Sequence, residues 1–312
     1  MILVTGGTGF IGKALVRNLV ESGYAVRMLI RPSPRSPDLP VGVAVDVAVS
    51  SLSDERGLRA AMVGVDTIYH LAGVERRGAY ADLQNVDIDG TRKIATAAAD
   101  ARVRRIFLTS HLGADRASAY PVLKAKAIAE EHVRRSGIDY TILRSAIVYG
   151  PNDGFTTGLA SMVATVPFFY LTPGDGQTLL QPIWVEDLAT CLVWALEDET
   201  TKNETYEIGG SEYLSFNQIL ENVMRAIDIQ RTIIHTRPPY IRGITVILEA
   251  LFPGSPVSVY WLDYLATNRT CALDTVPRVF HLMPARMSQR LGYLQGVDWR
   301  SSLVRSLFRR PR

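Results

Sequence analysis

The 312-residue chain is poor in the features that mark secreted, membrane-spanning or nucleic-acid-binding proteins. It has two cysteines, Cys191 and Cys271. Two are too few for a disulfide framework, and nothing around them has metal-ligand spacing, so reduced, partly buried thiols and no metal site are expected. The longest apolar run, "ITVILEALF" (Ile244 to Phe252), is broken by Glu249. It falls far short of the roughly 20 residues needed to cross a bilayer. Strand character begins almost at Met1, with no charged n-region or apolar h-region before it, so no secretory leader is expected and the expected compartment is the cytoplasm. Internal repeats and long low-complexity segments are also missing.

Charge of one sign is scarce as well. The net charge is +3, from 34 basic and 31 acidic residues. Asp298 to Arg312 holds five arginines and one acid, which leaves 29 basic against 30 acidic residues elsewhere, a net −1. The body therefore has no basic surface for nucleic acid. The tail mixes Trp299, Leu303, Val304, Leu307 and Phe308 with its arginines. One reading is a weak contact with an anionic membrane surface, the other a frayed, solvated end.

What is present begins with "ILVTGGTGFIGKALVRNLVESGYAVRMLIR". Ile2 to Val4 start a strand. Ile11, Leu15, Leu19 and Val20 have helical spacing, Gly23 ends the helix, and Ala25 to Ile30 resume strand character. Between strand and helix stands G-x-G-x-x-G, as Gly7, Gly9 and Gly12, with Gly6 before it. Glycines are needed here because a pyrophosphate must reach backbone N–H groups at a helix N-terminus, where a Cβ would obstruct it. The second strand ends in Arg31. An acid at this place holds the 2′-OH of NAD, whereas an arginine suits a 2′-phosphate, so NADP(H) is expected over NAD(H). Arg35, in the Pro/Ser loop "RPSPRSPDLP", is placed to assist.

Strand and helix patterns then alternate: a strand over 41–49, a helix over 55–63, a strand over 66–73, an alanine-rich helix over 85–101, a strand over 104–110, a helix over 123–136 and a strand over 140–150. This pattern predicts a doubly wound parallel α/β sheet of Rossmann type over about 1–153. A small, mostly helical region follows over 154–312, from which about 183–210 returns to pack on the first domain. Ligands of such sheets lie beyond the carboxyl ends of the strands, where Ala72, Gly73, Thr109, Ser110 and residues 145–149 are expected to converge.

The motifs "TGGTGFIG", "HLAG", "NVDIDGT", "LTS", "ILRSAIVYGP", "QPIWVEDLA" and "YEIGG" run in one order over about residues 1–220. On them the chain resembles the extended or atypical short-chain dehydrogenase/reductase superfamily, close to the group that includes the NADPH-holding accessory subunit of respiratory complex I. The resemblance implies that Gly6, Gly7, Thr8, Gly9 and Gly12 hold the pyrophosphate, with Phe10 and Ile11 closing over it, and that Arg31 meets the 2′-phosphate. It also implies that Leu71, Ala72 and Gly73 pass beneath the adenine-side ribose, and that Asn85 and Thr109 lie beside the cofactor. Ser50 and Ser51 stand where the family has Gly-Asp, which makes Ser51 the candidate near adenine. Arg144-Ser145 replaces the family's Arg-Pro.

In this superfamily a tyrosine exchanges a proton with the substrate oxygen, a lysine lowers its pKa and binds the nicotinamide ribose, and a serine or threonine positions the oxygen. Ordinary tyrosine, near pKa 10, is a poor base without a nearby cation. In "SAYPVLKAKAIAEEH", Tyr120 and Lys124 have the i, i+4 spacing. However, Pro121 pushes Tyr120 out of helical conformation. On the helix that follows, Val122, Ala125, Ile128, Ala129 and Val133 share an apolar face, which Lys126 borders and Lys124 avoids. Two readings stay open. In one, Ser110, Tyr120 and Lys124 are catalytic. In the other, Lys126 binds the cofactor ribose and no helical tyrosine transfers a proton. His111 is a further acid/base candidate, against a plain loop histidine, and Tyr149 reads as a pocket wall.

Residues 240–264 form an aromatic and apolar stretch that reads as a hydrophobic pocket wall, a homodimer face or core. The functional expectation is an NADP(H)-dependent oxidoreductase acting on a carbonyl or hydroxyl of a small, hydrophobic substrate. A non-catalytic NADP(H)-dependent scaffold or redox sensor, and a nucleotide-sugar epimerase or dehydratase, are the alternatives.

Overall fold

Apolar residues that alternate between two faces make the strands, and amphipathic helices cover both faces. The computed structural model describes residues 1–34, 36–252 and 254–307. Seven parallel strands lie in the spatial order Glu204–Ile208, Asp139–Ser145, Arg105–His111, Thr67–His70, Ile2–Thr5, Val26–Ile30 and Asp46–Val49. Leu3, Ile68, Ile106 and Ile142 point to one face, against the helices Glu55–Ala61, Asp89–Asp100 and Pro121–Arg134. Val4, Tyr69, Phe107 and Leu143 point to the other, against Phe10–Glu21 and Val185–Glu197. The Tyr69 and Phe107 rings stack at 4.5 Å between centroids.

Several expected bounds shift for physical reasons. Residues 41–45 stay outside the expected 41–49 strand, because Asp46–Val49 pairs only with Arg27–Ile30 and ends the sheet. The expected helix over 85–101 opens with a wide turn, Gln84–Ile88, before the regular helix Asp89–Asp100. The expected strand over 140–150 breaks after Ser145, and Val148–Tyr149 pairs with Ile183–Trp184 instead. The chain returns to the sheet through Val185–Glu197. Tyr69 Oη donates to the Leu192 carbonyl at 2.8 Å, and Arg17 and Asn18 reach Glu186.

The C-terminal part forms a second core of Tyr149, Phe155, Leu159, Val163, Phe216, Leu220, Tyr260 and Tyr264. Trp299 is buried at the start of the helix Trp299–Leu307, and Arg300 Nε donates to the Ala164 carbonyl at 2.7 Å. The first half of the basic tail is thus packed down. Arg35 and residues 308–312 lie outside the described residues. Cys191 and Cys271 are both buried and unpaired with each other. Among the described residues no helix is long and apolar enough to cross a membrane, and no cluster could hold a metal ion.

Candidate functional site

The glycine turn is shaped by two close approaches. Gly6 has φ +72°, and a Cβ there would lie 2.7 Å from the Ala72 nitrogen. At Gly12 a Cβ would lie 2.2 Å from the Gly6 carbonyl oxygen. The turn therefore folds tightly against Leu71 and Ala72. Gly9 caps the helix Phe10–Glu21 with no side chain over its N-terminus, and its first turn carries no acid. Exposed N–H groups and the helix dipole make that end a seat for a pyrophosphate. Gly7 lies inward, under Met28, while Thr8 and Gly9 are exposed.

Beside this turn a crevice opens at the carboxyl ends of the strands. Gly6, Gly9, Phe10, Ile11 and Gly12 form one side, and Thr109, Ser110, His111, Lys126 and Tyr264 the other. The helix Pro121–Arg134 turns Lys126 inward, with 9% of its side chain exposed. Its ammonium donates to Asp87 Oδ1 at 2.7 Å and lies 3.3 Å from Glu75 Oε2. Burial disfavours the charge, but Asp87 and Glu75 outweigh it and hold Lys126 above its usual value. Burial raises Asp87 above the usual carboxylate range despite Lys126. At Glu75 burial also opposes ionisation, yet Lys126 and then His111 prevail, and its carboxyl stays well below that range. His111 Nε2 sits 3.5 Å from Glu75 Oε1. Burial keeps this imidazole below its usual value, against the pull of Glu75.

Thr109 Oγ1 is buried without a hydrogen-bond partner among the described residues, and Thr109 lines the crevice. A buried hydroxyl normally has a partner, so this one is available to a ligand. Together with the glycine cradle, it shows that the residues fit a dinucleotide.

Ser110 is committed elsewhere. Its hydroxyl donates to Glu130 Oε1 at 2.6 Å. Arg144 grips the same carboxylate with two bonds, of 2.9 and 2.7 Å, and Arg134 adds a third at 2.9 Å. The arginine that stands in the family's Arg-Pro position is thus a structural clamp beneath the crevice.

The remaining expected residues separate. Lys124 is exposed on the outer face of its helix and lines neither the crevice nor the side cleft next to it. Tyr120 is the extended residue before the helix, with φ −88° and ψ 118°. It lines a small side cleft with His111, Tyr260 and Tyr264, and does not line the crevice itself. Asn85 faces outward and bonds Asp82 at 2.9 Å, while Asp87, two residues on, is the group that reaches Lys126. Ser51 pairs with Ser53 in the turn after the edge strand. Arg31 is exposed just past the strand Val26–Ile30. Asp87 and Glu75 escaped the sequence reading, and only the acid inside "NVDIDGT" gave a signal for one of them.

The NAD(P)H-binding family matches residues 6–199. The chain is 31% identical over 227 residues to the mitochondrial NADH dehydrogenase (ubiquinone) 1 alpha subcomplex subunit 9 of Arabidopsis thaliana, covering 70% of this chain and 56% of that protein. It is 33% identical over 196 residues to the ceramide reductase of Caulobacter vibrioides, covering 62% and 60%. The match thus spans less than two thirds of either relative. Among solved structures, UDP-glucose 4-epimerase of Thermotoga maritima superposes with a TM-score of 0.72 at 20% identity, over 94% of this chain and 96% of that one. At that identity the likeness is one of fold.

Proposed function

This chain belongs to the NAD(P)H-binding, atypical group of the short-chain dehydrogenase/reductase superfamily, and on that premise we propose that it is an NADP(H)-dependent oxidoreductase interconverting an alcohol and a carbonyl. The carrying observation is the meeting of Lys126, the orphan Thr109 hydroxyl and His111 beside the glycine turn. When bound, the nicotinamide accepts or supplies the hydride. The exposed Arg31 favours a 2′-phosphate over a bare ribose. An ammonium has three donors and Asp87 accepts from one, with Glu75 an ion-pair neighbour at 3.3 Å, which leaves a donor for the nicotinamide ribose. Thr109 orients the substrate oxygen. With Nε2 directed at Glu75, the neutral His111 keeps its lone pair on Nδ1. In the oxidation direction the alcohol carbon loses a hydride and the alcohol oxygen loses its proton to His111, whose cation Glu75 stabilises. Reduction runs the same transfers in reverse.

The test is NADPH consumption with a panel of aliphatic ketones, compared with NADH. His111→Gln is expected to lower kcat by about 100-fold or more, within the range for a general acid or base, with NADPH affinity unchanged. Tyr120→Phe is expected to cost less than about tenfold. The reverse order would assign the proton to Tyr120. Arg31→Ala should remove the preference for NADPH over NADH, and equal affinity for both in the wild type would sink the cofactor reading.

A second reading, a cofactor-dependent scaffold, draws on the commitment of Ser110 to Glu130 and the position of Tyr120 outside the crevice. The names of the relatives divide in the same way, between a reductase and a complex subunit. In that case no carbonyl is turned over, NADPH still binds, and Lys126→Ala weakens that binding. An epimerase reading is disfavoured by Arg31, where an acid for NAD is expected.

A further inference from the structure

Behind the crevice lies a second cavity, of about 430 Å³, walled by the C-terminal half of the chain. Its lining is almost wholly apolar, with Leu159, Met162, Phe169, Ile244, Leu248 and Leu262 among the contributors. The short helix Val259–Tyr264 separates it from the crevice. Tyr260 and Tyr264, four residues apart on one face, line the crevice, and Leu262 and Leu265 line the cavity. Trp261 lines both spaces. Ser258, just before this helix, adds an independent feature. It is 5% exposed, lines the cavity, and its Oγ has no hydrogen-bond partner among the described residues.

Ser258 is also the point where the cavity approaches the chemistry. A Cβ on Gly78 would lie 3.1 Å from the Ser258 Cβ, and the segment Glu75–Tyr80 that contains Gly78 begins at the crevice carboxylate Glu75. Buried Glu249 locks this junction, accepting from the Ala79 nitrogen at 3.1 Å and the Val259 nitrogen at 3.3 Å. An apolar cavity with one unsatisfied hydroxyl at the end nearest a polar crevice calls for a ligand of matching polarity.

We propose that this cavity binds the single long alkyl chain of an oxygenated lipid, with Ser258 bonding a polar group at the head of the chain, the reacting oxygen passing the Trp261 wall to Thr109 in the crevice, and the tail among Leu159, Met162 and Leu248. A methylene is close in size to a water molecule, which occupies about 30 Å³ in the liquid, so the cavity takes roughly 14 carbons. The inference deepens the oxidoreductase reading by naming its substrate class, and it rests on that reading only for the reaction at the polar end.

The test is calorimetric titration of the whole protein with straight-chain saturated fatty acids of increasing length, below micelle formation. Affinity is expected to rise about fourfold per methylene, the transfer free energy of one CH₂, and to level off once the cavity is full. Ser258→Ala should weaken every length by a similar factor and leave the slope intact. Met162→Trp, or Ile244→Trp at the half-exposed rim, should bring the plateau to shorter chains, with NADPH binding as the check on folding. Affinity independent of length would overturn the proposal and point to another occupant, such as a second copy or the chain's own C-terminal residues. A slope and plateau unchanged by both tryptophans would overturn it too. Fatty-acid binding with no NADPH-dependent turnover of long-chain methyl ketones would sink the oxidoreductase reading alone. Turnover of those ketones with a KM flat across chain lengths would sink this proposal alone.

Discussion

The Ser110 hydroxyl donates to Glu130 across 2.6 Å, and Glu130, fully buried, is held from its other sides by Arg144 and Arg134. The proton that a substrate oxygen would need is thus directed at a structural carboxylate. Ser110→Ala is expected to cost about 2 kcal/mol of stability, a single hydrogen bond to a charged group, and to change NADPH affinity less than twofold. Arg144→Met removes the two-pronged partner of a buried charge and is expected to cost roughly 3 kcal/mol or more. Urea unfolding of the two variants gives the comparison, and equal losses would contradict the clamp.

His70 carries a pH prediction. Its Nδ1 lies 2.6 Å from Thr5 Oγ1 and its Nε2 2.9 Å from Thr91 Oγ1, in full burial. Burial, and then Lys126, lower it from 6.5 to about 3. Between those values the unfolded chain binds the proton and the native one does not. Stability is therefore complete above pH 6.5 and is lost as pH falls toward 3, by at most about 1.4 kcal/mol per pH unit. His111 is lowered in the same direction and adds to the slope. His70→Gln should flatten the decline between pH 6.5 and 5 without abolishing it, as measured by urea midpoints. An unchanged slope would show that His70 is not the group responsible.

Two glycines separate cofactor seating from backbone strain. At Gly12 a Cβ would press into the Gly6 carbonyl, so Gly12→Ala must push the turn apart, and NADPH affinity is expected to fall at least 100-fold. Gly23 ends the same helix at φ +85° in open space. There Gly23→Ala should cost about 1 kcal/mol through the left-handed conformation, with cofactor affinity intact. Fluorescence titration with NADPH and thermal melting of both variants decide the point.

Much of the site was legible from local pattern. The spacing of Gly6, Gly9 and Gly12 between a strand and a helix pointed to the dinucleotide turn. The helical register after Pro121 turned Lys126 inward and Lys124 outward, as the burial of each shows. The same proline left Tyr120 in extended conformation at the helix edge. The partners of these groups were not legible. Asp87 meets Lys126 from 39 residues away, and Arg144 reaches back 14 residues to Glu130. Nothing in the local periodicity of either segment marks the other.

The division follows from the range of the forces involved. Strand alternation, helical register, glycine at a turn and proline at a helix start act within a few residues, so the order of amino acids was enough for the α/β architecture, the glycine turn and the inward lysine. Ion pairs, orphan hydroxyls and cavities arise where distant segments meet. Only the packed chain placed Asp87 and Glu75 on one ammonium, turned the Ser110 proton toward Glu130, and set an apolar cavity against the crevice across Trp261.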